Sequence, residues 1–274
     1  MNIIKFLDEF TTEKLISDTT SRREIFGTFG SLGKKAALAA IPFGLATMPS
    51  RTYAQSSGDP VSALQLALTL EYLEDEFYEL ALQSGVIPSG RSQIVYQQIS
   101  QHEAAHVEFL KAGLQGAGVT PVEKPTFDFT AGGAFDPFND SGVGQEAAYA
   151  QLLALSQAFE DTGVRAYKGQ AGNLQGSQFL TPALQIHSVE ARHASEIRRL
   201  RGLNGWITRD QRGLGMPEAT QPVYNGEENV IQGGVNVTNL GDGSPFTIDA
   251  STQAYDEILT GDEAVAIASL FIVP

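Results

Sequence analysis

The sequence contains no cysteine. Disulfide bonds, thiolate metal sites and cysteine nucleophiles are therefore excluded, and a bound metal would have to be held by carboxylates and imidazoles. Basic residues are also scarce, because 18 Lys and Arg stand against 32 Asp and Glu, a formal net charge of −14. Nucleic-acid binding needs a basic surface that neutralises phosphates. The composition argues against a nucleic-acid partner and favours a protein that attracts cations.

Long apolar runs are scarce as well, and the run nearest the N-terminus covers only residues 36–48. It follows the arginine pair Arg22-Arg23 and precedes Ala54, a small residue suitable for cleavage. We interpret residues 1–54 as a twin-arginine export signal and expect the periplasm or cell envelope as the location. A membrane anchor or a chance arginine pair is the alternative. Because the run is short and interrupted by proline and glycine, we expect no stable membrane span in the mature form.

Four later segments have the apolar periodicity of amphipathic helices. They cover about residues 59–85, 91–116 or 91–118, 144–171 and 181–202. Short connections join the first to the second and the third to the fourth, whereas residues 117–141 form a long crossover rich in Gly, Pro, Asp and Phe. Two helical hairpins with one long connection are the ferritin-like arrangement of an all-α four-helix bundle, which we predict for residues 55–202.

The chain after residue 202 is rich in Gly, Asn and Pro. We expect residues 203–274 to be a loop-rich extension that packs on the bundle, with a short hairpin around residues 229–240. Thr260 and Glu263 form a capping-box pattern in front of an apolar segment. This pattern predicts a short fifth helix.

All four histidines of the protein lie on the second and fourth predicted helices: His102, His106, His187 and His193. The two helices repeat each other, since Gln-Ile-x3-Glu-Ala-x-His occurs at residues 98–106 and again at 185–193. The preceding helices repeat as well, with Glu-x6-Tyr at residues 71–78 and 160–167. The bundle is therefore internally repeated.

The repeated spacing predicts a metal site. Residues three apart on a helix project from nearly the same face, so each Glu-x-x-His pair can offer an oxygen and a nitrogen to one point. With one glutamate from each remaining helix, the donors are Glu71, Glu103, His106, Glu160, Glu190 and His193. Four buried carboxylates would repel each other without cations, and two divalent metal ions would neutralise them. Tyr78 and Tyr167 lie two turns after the glutamates and could donate hydrogen bonds to the ligands.

The residues that carry this pattern also resemble a known family. They are LEYLEDEFY at residues 70–78, HEAAHVEFL at 102–110, Phe-Glu at 159–160 and EARH at 190–193, with AIASLFI at 266–272 in the tail. Residues 60–202 resemble bacterial ferritin-like domain proteins related to plant desiccation-related proteins, and more distantly rubrerythrin and ferritin. The resemblance implies a di-metal site on the same six residues. It does not imply a particular reaction.

Two assignments stay open at this point. His102-Glu-Ala-Ala-His106 also satisfies the HExxH signature of zinc metalloproteases. The repeated helix, however, has Val189 in place of His102 and keeps its Glu-x-x-His pair, which favours the bundle. Glu74 lies one turn after Glu71 and is the alternative ligand on the first helix. His102 and His187 are candidates for hydrogen-bond partners or neighbours of the site.

We therefore hypothesise an exported protein with two iron ions that handles iron, oxygen or peroxide. A manganese catalase-like enzyme is the alternative, because carboxylates and imidazoles also suit manganese. A third possibility is a stress- or desiccation-associated bundle in which the metal serves stability alone. We expect a homo-oligomer, and the tail after Gly202 argues against a ferritin-type storage shell.

Overall fold

The computed structural model describes residues 59–241 and 246–273. The predicted export signal at residues 1–54 lies outside the described residues. Four long helices dominate the described part: α1 (Pro60–Gln83), α2 (Arg91–Gly116), α3 (Gln145–Gln170) and α4 (Leu180–Leu200). Within these ranges, no helix combines the length and the apolarity needed to cross a bilayer.

The helices α1 and α4 begin in different ways, because a side chain caps α1 and none caps α4. Asp59 caps α1 by accepting a hydrogen bond from the Val61 N–H at 3.0 Å. Thr181-Pro182 has the pattern of a helix cap followed by a proline in the first turn, which predicts that the fourth helix starts there. This prediction is wrong, because α4 begins at Leu180 after Phe179 and has no side-chain cap. The Phe179 ring packs so closely on Gly113 of α2 that a Cβ there would lie 2.9 Å from it. The residue that precedes α4 is therefore in close contact with α2.

The helices pair as α1 with α2 and α3 with α4, and α1 also packs on α3 and α2 on α4. The crossover between α2 and α3 contributes aromatic side chains to the core, because Phe129 and Phe135 are buried there. The Phe129 ring lies 5.3 Å from that of Phe77 on α1. The predicted all-α, ferritin-like arrangement of two hairpins and one long crossover is confirmed.

In the described part of the C-terminal extension, a two-stranded hairpin is accompanied by two short α-helices and two 3-10 helices, Glu218–Val223 and Val237–Asn239. The strands β1 (Ile231–Gln232) and β2 (Val235–Asn236) are antiparallel, and the helices are α5 (Ile248–Thr252) and α6 (Gly261–Ala268). The predicted capping box of Thr260 and Glu263 is present at α6. We expected only one short helix here. The five residues of α5 are too few to show a helical period, so the sequence pattern could not indicate it.

A buried ion pair connects the extension to the bundle. The guanidinium of Arg165 on α3 lies 2.8 Å from the Glu227 carboxylate, and both side chains are almost fully buried. Arg165 also donates hydrogen bonds to the backbone carbonyls of Val223 and Asn225. α6 packs against α1 and α3. The extension therefore covers the side of the bundle formed by these two helices.

Candidate metal centre

The four long helices bring the six predicted donors together in the core of the bundle. Glu71, Glu103, Glu160 and Glu190 are 0% exposed and His193 is 4% exposed. His106 is nearly buried, with 12% of its side chain exposed. All six therefore lie on the inner faces of their helices. Carboxylates are rarely buried in proteins unless an ion or an ionised group compensates them.

The donors form two overlapping groups that could each hold a metal ion. Glu71, Glu103, His106 and Glu190 form one group, and Glu103, Glu160, Glu190 and His193 form the other. Within each group, the donor atoms lie within 4.8 Å of one another. Glu103 and Glu190 belong to both groups. The centre is therefore a pair of positions joined by two shared carboxylates.

The two donor histidines, His106 and His193, both point Nδ1 toward the carboxylates. Nδ1 of His106 lies 3.0 Å from Glu103, 3.2 Å from Glu71 and 3.2 Å from Glu190. Nδ1 of His193 lies 2.8 Å from Glu103 and 3.3 Å from Glu160. Adjacent donors around one octahedral ion with bonds of about 2.1 Å lie about 3 Å apart. The spacing of these atoms therefore fits a metal ion.

Several of these atoms lack a hydrogen-bond partner. Among the described residues, one oxygen of Glu103, one oxygen of Glu160, both oxygens of Glu190 and Nδ1 of His193 are buried without a contact of hydrogen-bond geometry. Only Oε2 of Glu190 also lacks a charged partner, because each of the other four atoms lies within ion-pair distance of an imidazole nitrogen or a carboxylate oxygen. Proteins leave few buried polar atoms unsatisfied, so five in one place need an explanation. Cations bound by these oxygen and nitrogen donors supply one. The residues present therefore fit a pair of metal ions.

Without metal ions, bound protons neutralise part of the negative charge of the buried carboxylates. Burial raises the pKa of Glu71 to about 8, against the opposing effect of the His106 hydrogen bond. Burial also raises the pKa of Glu190 well above its ordinary value, and repulsion from Glu103 adds to this effect. Burial disfavours the charge on His193, but the nearby carboxylates outweigh it and raise the pKa of that imidazole to about 11. Protons and metal ions therefore compete for the same atoms.

Two tyrosines support the glutamates, each across the α1–α3 interface. The Tyr78 hydroxyl on α1 donates to Glu160 on α3, and the Tyr167 hydroxyl on α3 donates to Glu71 on α1. From the sequence, each tyrosine is expected to donate to a ligand, without a particular glutamate as its partner. The structure shows a reciprocal exchange. Each hydroxyl leaves the second oxygen of its glutamate free to face the centre.

Glu74 lies beside the centre but outside both donor groups. It is 2% exposed, and its Oε2 has no hydrogen-bond partner among the described side chains and backbone groups. Gly163 on α3 makes room for it. A Cβ at position 163 would lie 3.0 Å from Oε2 of Glu190 and 3.4 Å from Oε1 of Glu74. The repeat places Gly163 at the position that corresponds to Glu74, but its contact with the centre depends on helix packing and is not visible in the residue spacing.

His102 and His187 contact different partners. Nδ1 of His102 lies 2.8 Å from Nε2 of His193, and its Nε2 lies 2.8 Å from the Gln98 amide, a contact that the sequence analysis missed. Burial lowers the pKa of His102. Nδ1 of His187 donates to the Val164 carbonyl at 3.0 Å and so fastens α4 to α3. His102 belongs to neither donor group, so the HExxH pattern does not bring His102 and His106 to one ion.

A four-helix bundle whose core collects carboxylates and imidazoles from all four helices defines the class of carboxylate-bridged di-metal proteins. The sequence model of the family described as "Ferritin-like domain" matches residues 59–203, more than half of the chain. The chain therefore belongs to the ferritin-like domain family. The match covers all four long helices and all six donors, and it ends where the C-terminal extension begins. No curated protein matches the chain.

Proposed function

We propose that this chain is an exported di-iron carboxylate protein that oxidises ferrous iron with oxygen or peroxide. The observation that carries the proposal is the pair of overlapping donor groups that share Glu103 and Glu190. Because they belong to both groups, Glu103 and Glu190 would help to hold both metal ions. Glu71 and His106 complete one position, and Glu160 and His193 complete the other.

The residues around the centre perform three tasks in this proposal. Tyr78 and Tyr167 hold the terminal glutamates by hydrogen bonds. The buried helix interior keeps bulk water from the donors, because the four carboxylates are fully buried. The donor set of carboxylates and imidazoles neutralises and orients divalent cations. A bound iron pair would supply the redox chemistry with oxygen or peroxide.

Export is proposed from the sequence alone. The arginine pair at residues 22–23, the apolar run after it and the small residue at position 54 support a twin-arginine signal. A bundle that loads its metal before transport would suit a route that carries folded proteins. Fractionation of cells that express the full chain tests this part, since replacement of both arginines by lysine should retain the protein in the cytoplasm.

Metal analysis of natively purified protein tests the centre. We expect about two iron ions per chain, and we expect Glu103→Ala combined with His106→Ala to remove them. Glu108→Ala is the matched control on the same helix, because Glu108 is exposed and its one ion pair among the described residues is with Lys111. Less than one tightly bound metal ion per chain, or an unchanged metal content in the double variant, would contradict the proposal. Manganese in place of iron, with peroxide disproportionation, would select the catalase-like alternative.

A further inference from the structure

The two donor histidines, His106 and His193, have different residues next to their outer ring nitrogens. His193 on α4 has His102 as the neighbour of its outer nitrogen, with 2.8 Å between Nε2 of His193 and Nδ1 of His102. In the repeat, the residue that corresponds to His102 is Val189. Consequently, Nε2 of His106 has no hydrogen-bond partner in the described part of the chain. One half of the centre therefore has a histidine pair where the other has a histidine and a valine.

The geometry of the histidine pair is that of a hydrogen bond. The ring centroids of His102 and His193 lie 5.1 Å apart, and the ring planes differ by 15°. This centroid distance equals the distance between the two nitrogens plus the radii of the two rings. The nitrogens therefore lie on the line between the centroids and point at each other within both ring planes. Such alignment is what an N–H donor and a nitrogen lone pair require.

The protons along this contact can be assigned in only one consistent way when His193 binds a metal through Nδ1. The His193 proton then lies on Nε2 and donates to Nδ1 of His102. His102 consequently carries its own proton on Nε2, which faces the Gln98 side-chain amide at 2.8 Å. A half-turn of that amide presents its oxygen as the acceptor. Gln98 is exposed, so the chain of hydrogen bonds runs from the centre to the surface.

We propose that His102 is a positioning residue for His193, and that it makes the two metal positions unequal. The inference rests on the proposed di-metal function. By accepting the Nε2 proton, His102 fixes the tautomer and the ring orientation of His193 and raises the basicity of its Nδ1. Loss of such a partner typically costs about 10-fold to 100-fold in metal affinity. We expect this cost only at the position formed by Glu160 and His193.

The experiment titrates metal-free protein with Co²⁺ under chelator competition and measures both binding constants and the visible spectrum of the bound ions. His102→Val copies the arrangement at Val189, so one constant should weaken about 10-fold to 100-fold, and only one component of the spectrum should change. His102→Asn keeps an acceptor near the place of Nδ1 and should restore most of the affinity. Gln101→Ala, an exposed neighbour on α2, is the control and should change neither constant.

The reciprocal variant Val189→His separates positioning from a merely structural role. It offers His106 the partner that it lacks and should strengthen the position formed by Glu71 and His106. If His102→Val weakens both constants equally, or weakens neither, the inference is wrong while the di-metal proposal stands. Failure of His102→Asn to restore affinity also contradicts it. If the wild-type chain binds fewer than two Co²⁺ ions, the proposed function itself fails.

Discussion

The two helical hairpins of the bundle repeat each other in the residues that face the centre, and they differ in the residues beside it. The matching pairs are Glu71 and Glu160, Tyr78 and Tyr167, Glu103 and Glu190, and His106 and His193. The unmatched pairs are Glu74 with Gly163, and His102 with Val189. The repeat therefore sets the donors, whereas the deviations from it set the surroundings of each metal position.

The limited space in the core gives a physical reason for one of these deviations. Glu74 and Gly163 lie on facing helices, and a Cβ at position 163 would approach both Glu190 and Glu74. Two side chains of the size of glutamate would not fit there together. A carboxylate from α1 thus requires a glycine on α3. The centre cannot be symmetric on this side, although its donors are.

We expect the largest effects from substitution of the four donor glutamates. Comparison of these variants shows which carboxylates both metal positions share. Glu103 and Glu190 belong to both donor groups, whereas Glu71 and Glu160 belong to one group each. We expect Glu103→Ala and Glu190→Ala to lose both metal ions, and Glu71→Ala and Glu160→Ala to lose one. Elemental analysis after dialysis measures the content, and circular dichroism checks the fold. Loss of both ions from Glu71→Ala alone would break the proposed division of the centre.

The next prediction concerns the pH dependence of stability. The folded-state pKa of Glu71 is raised to about 8, above its ordinary value of 4.5. Its contribution to stability is therefore complete below pH 4.5 and is lost as the pH rises through 8. The metal-free protein should lose on the order of a few kcal/mol over this range. His193 adds to this loss, because its pKa is raised from 6.5 to about 11 and its contribution to stability decreases as the pH rises from 6.5 through 11.

Bound metal ions should remove this loss, because they neutralise the carboxylates that the protons otherwise neutralise. The difference in Tm between metal-loaded and metal-free protein should therefore widen from pH 5 to pH 8. Thermal unfolding with and without a chelator measures it. A constant difference across this range would show that protons and metal ions do not compete for these donors.

The difference between Glu74 and Gly163 predicts a smaller effect on the stability of the metal-free protein. Its sign is opposite to the loss described for Glu71. Burial raises the pKa of Glu74 well above its ordinary value, and repulsion from Glu190 adds to this effect. Glu74→Gln removes the ionisable group, so chemical denaturation at pH 8 should find the metal-free variant more stable than the metal-free wild type. The metal content should stay at the wild-type level, because Glu74 lies outside both donor groups. A loss of metal would instead assign Glu74 as a ligand.

The donors of this centre could be predicted from sequence because their spacing is local. Glu103 and His106 share one helix face through their three-residue separation, and the repeat supplies the partner pair. The contacts between helices could not be predicted in this way. Tyr78 reaches Glu160 rather than Glu71, and His102 reaches His193, because these contacts depend on how the helices rotate against each other.

The smallest expected effect concerns the exchanged tyrosines, which form the most symmetric part of the centre. Tyr78→Phe and Tyr167→Phe each remove one buried hydrogen bond to a glutamate on the facing helix. A hydrogen bond of this kind contributes about 1 kcal/mol, so each variant should lower the unfolding free energy of the metal-free protein by about that amount. Chemical denaturation of the two variants side by side measures it, with Tyr149→Phe at the part-buried contact with Ser92 as the control. Equal losses would show that the halves match wherever their residues repeat, whereas a clearly larger loss in one variant would show that the asymmetry at Glu74 and His102 extends to the terminal glutamates.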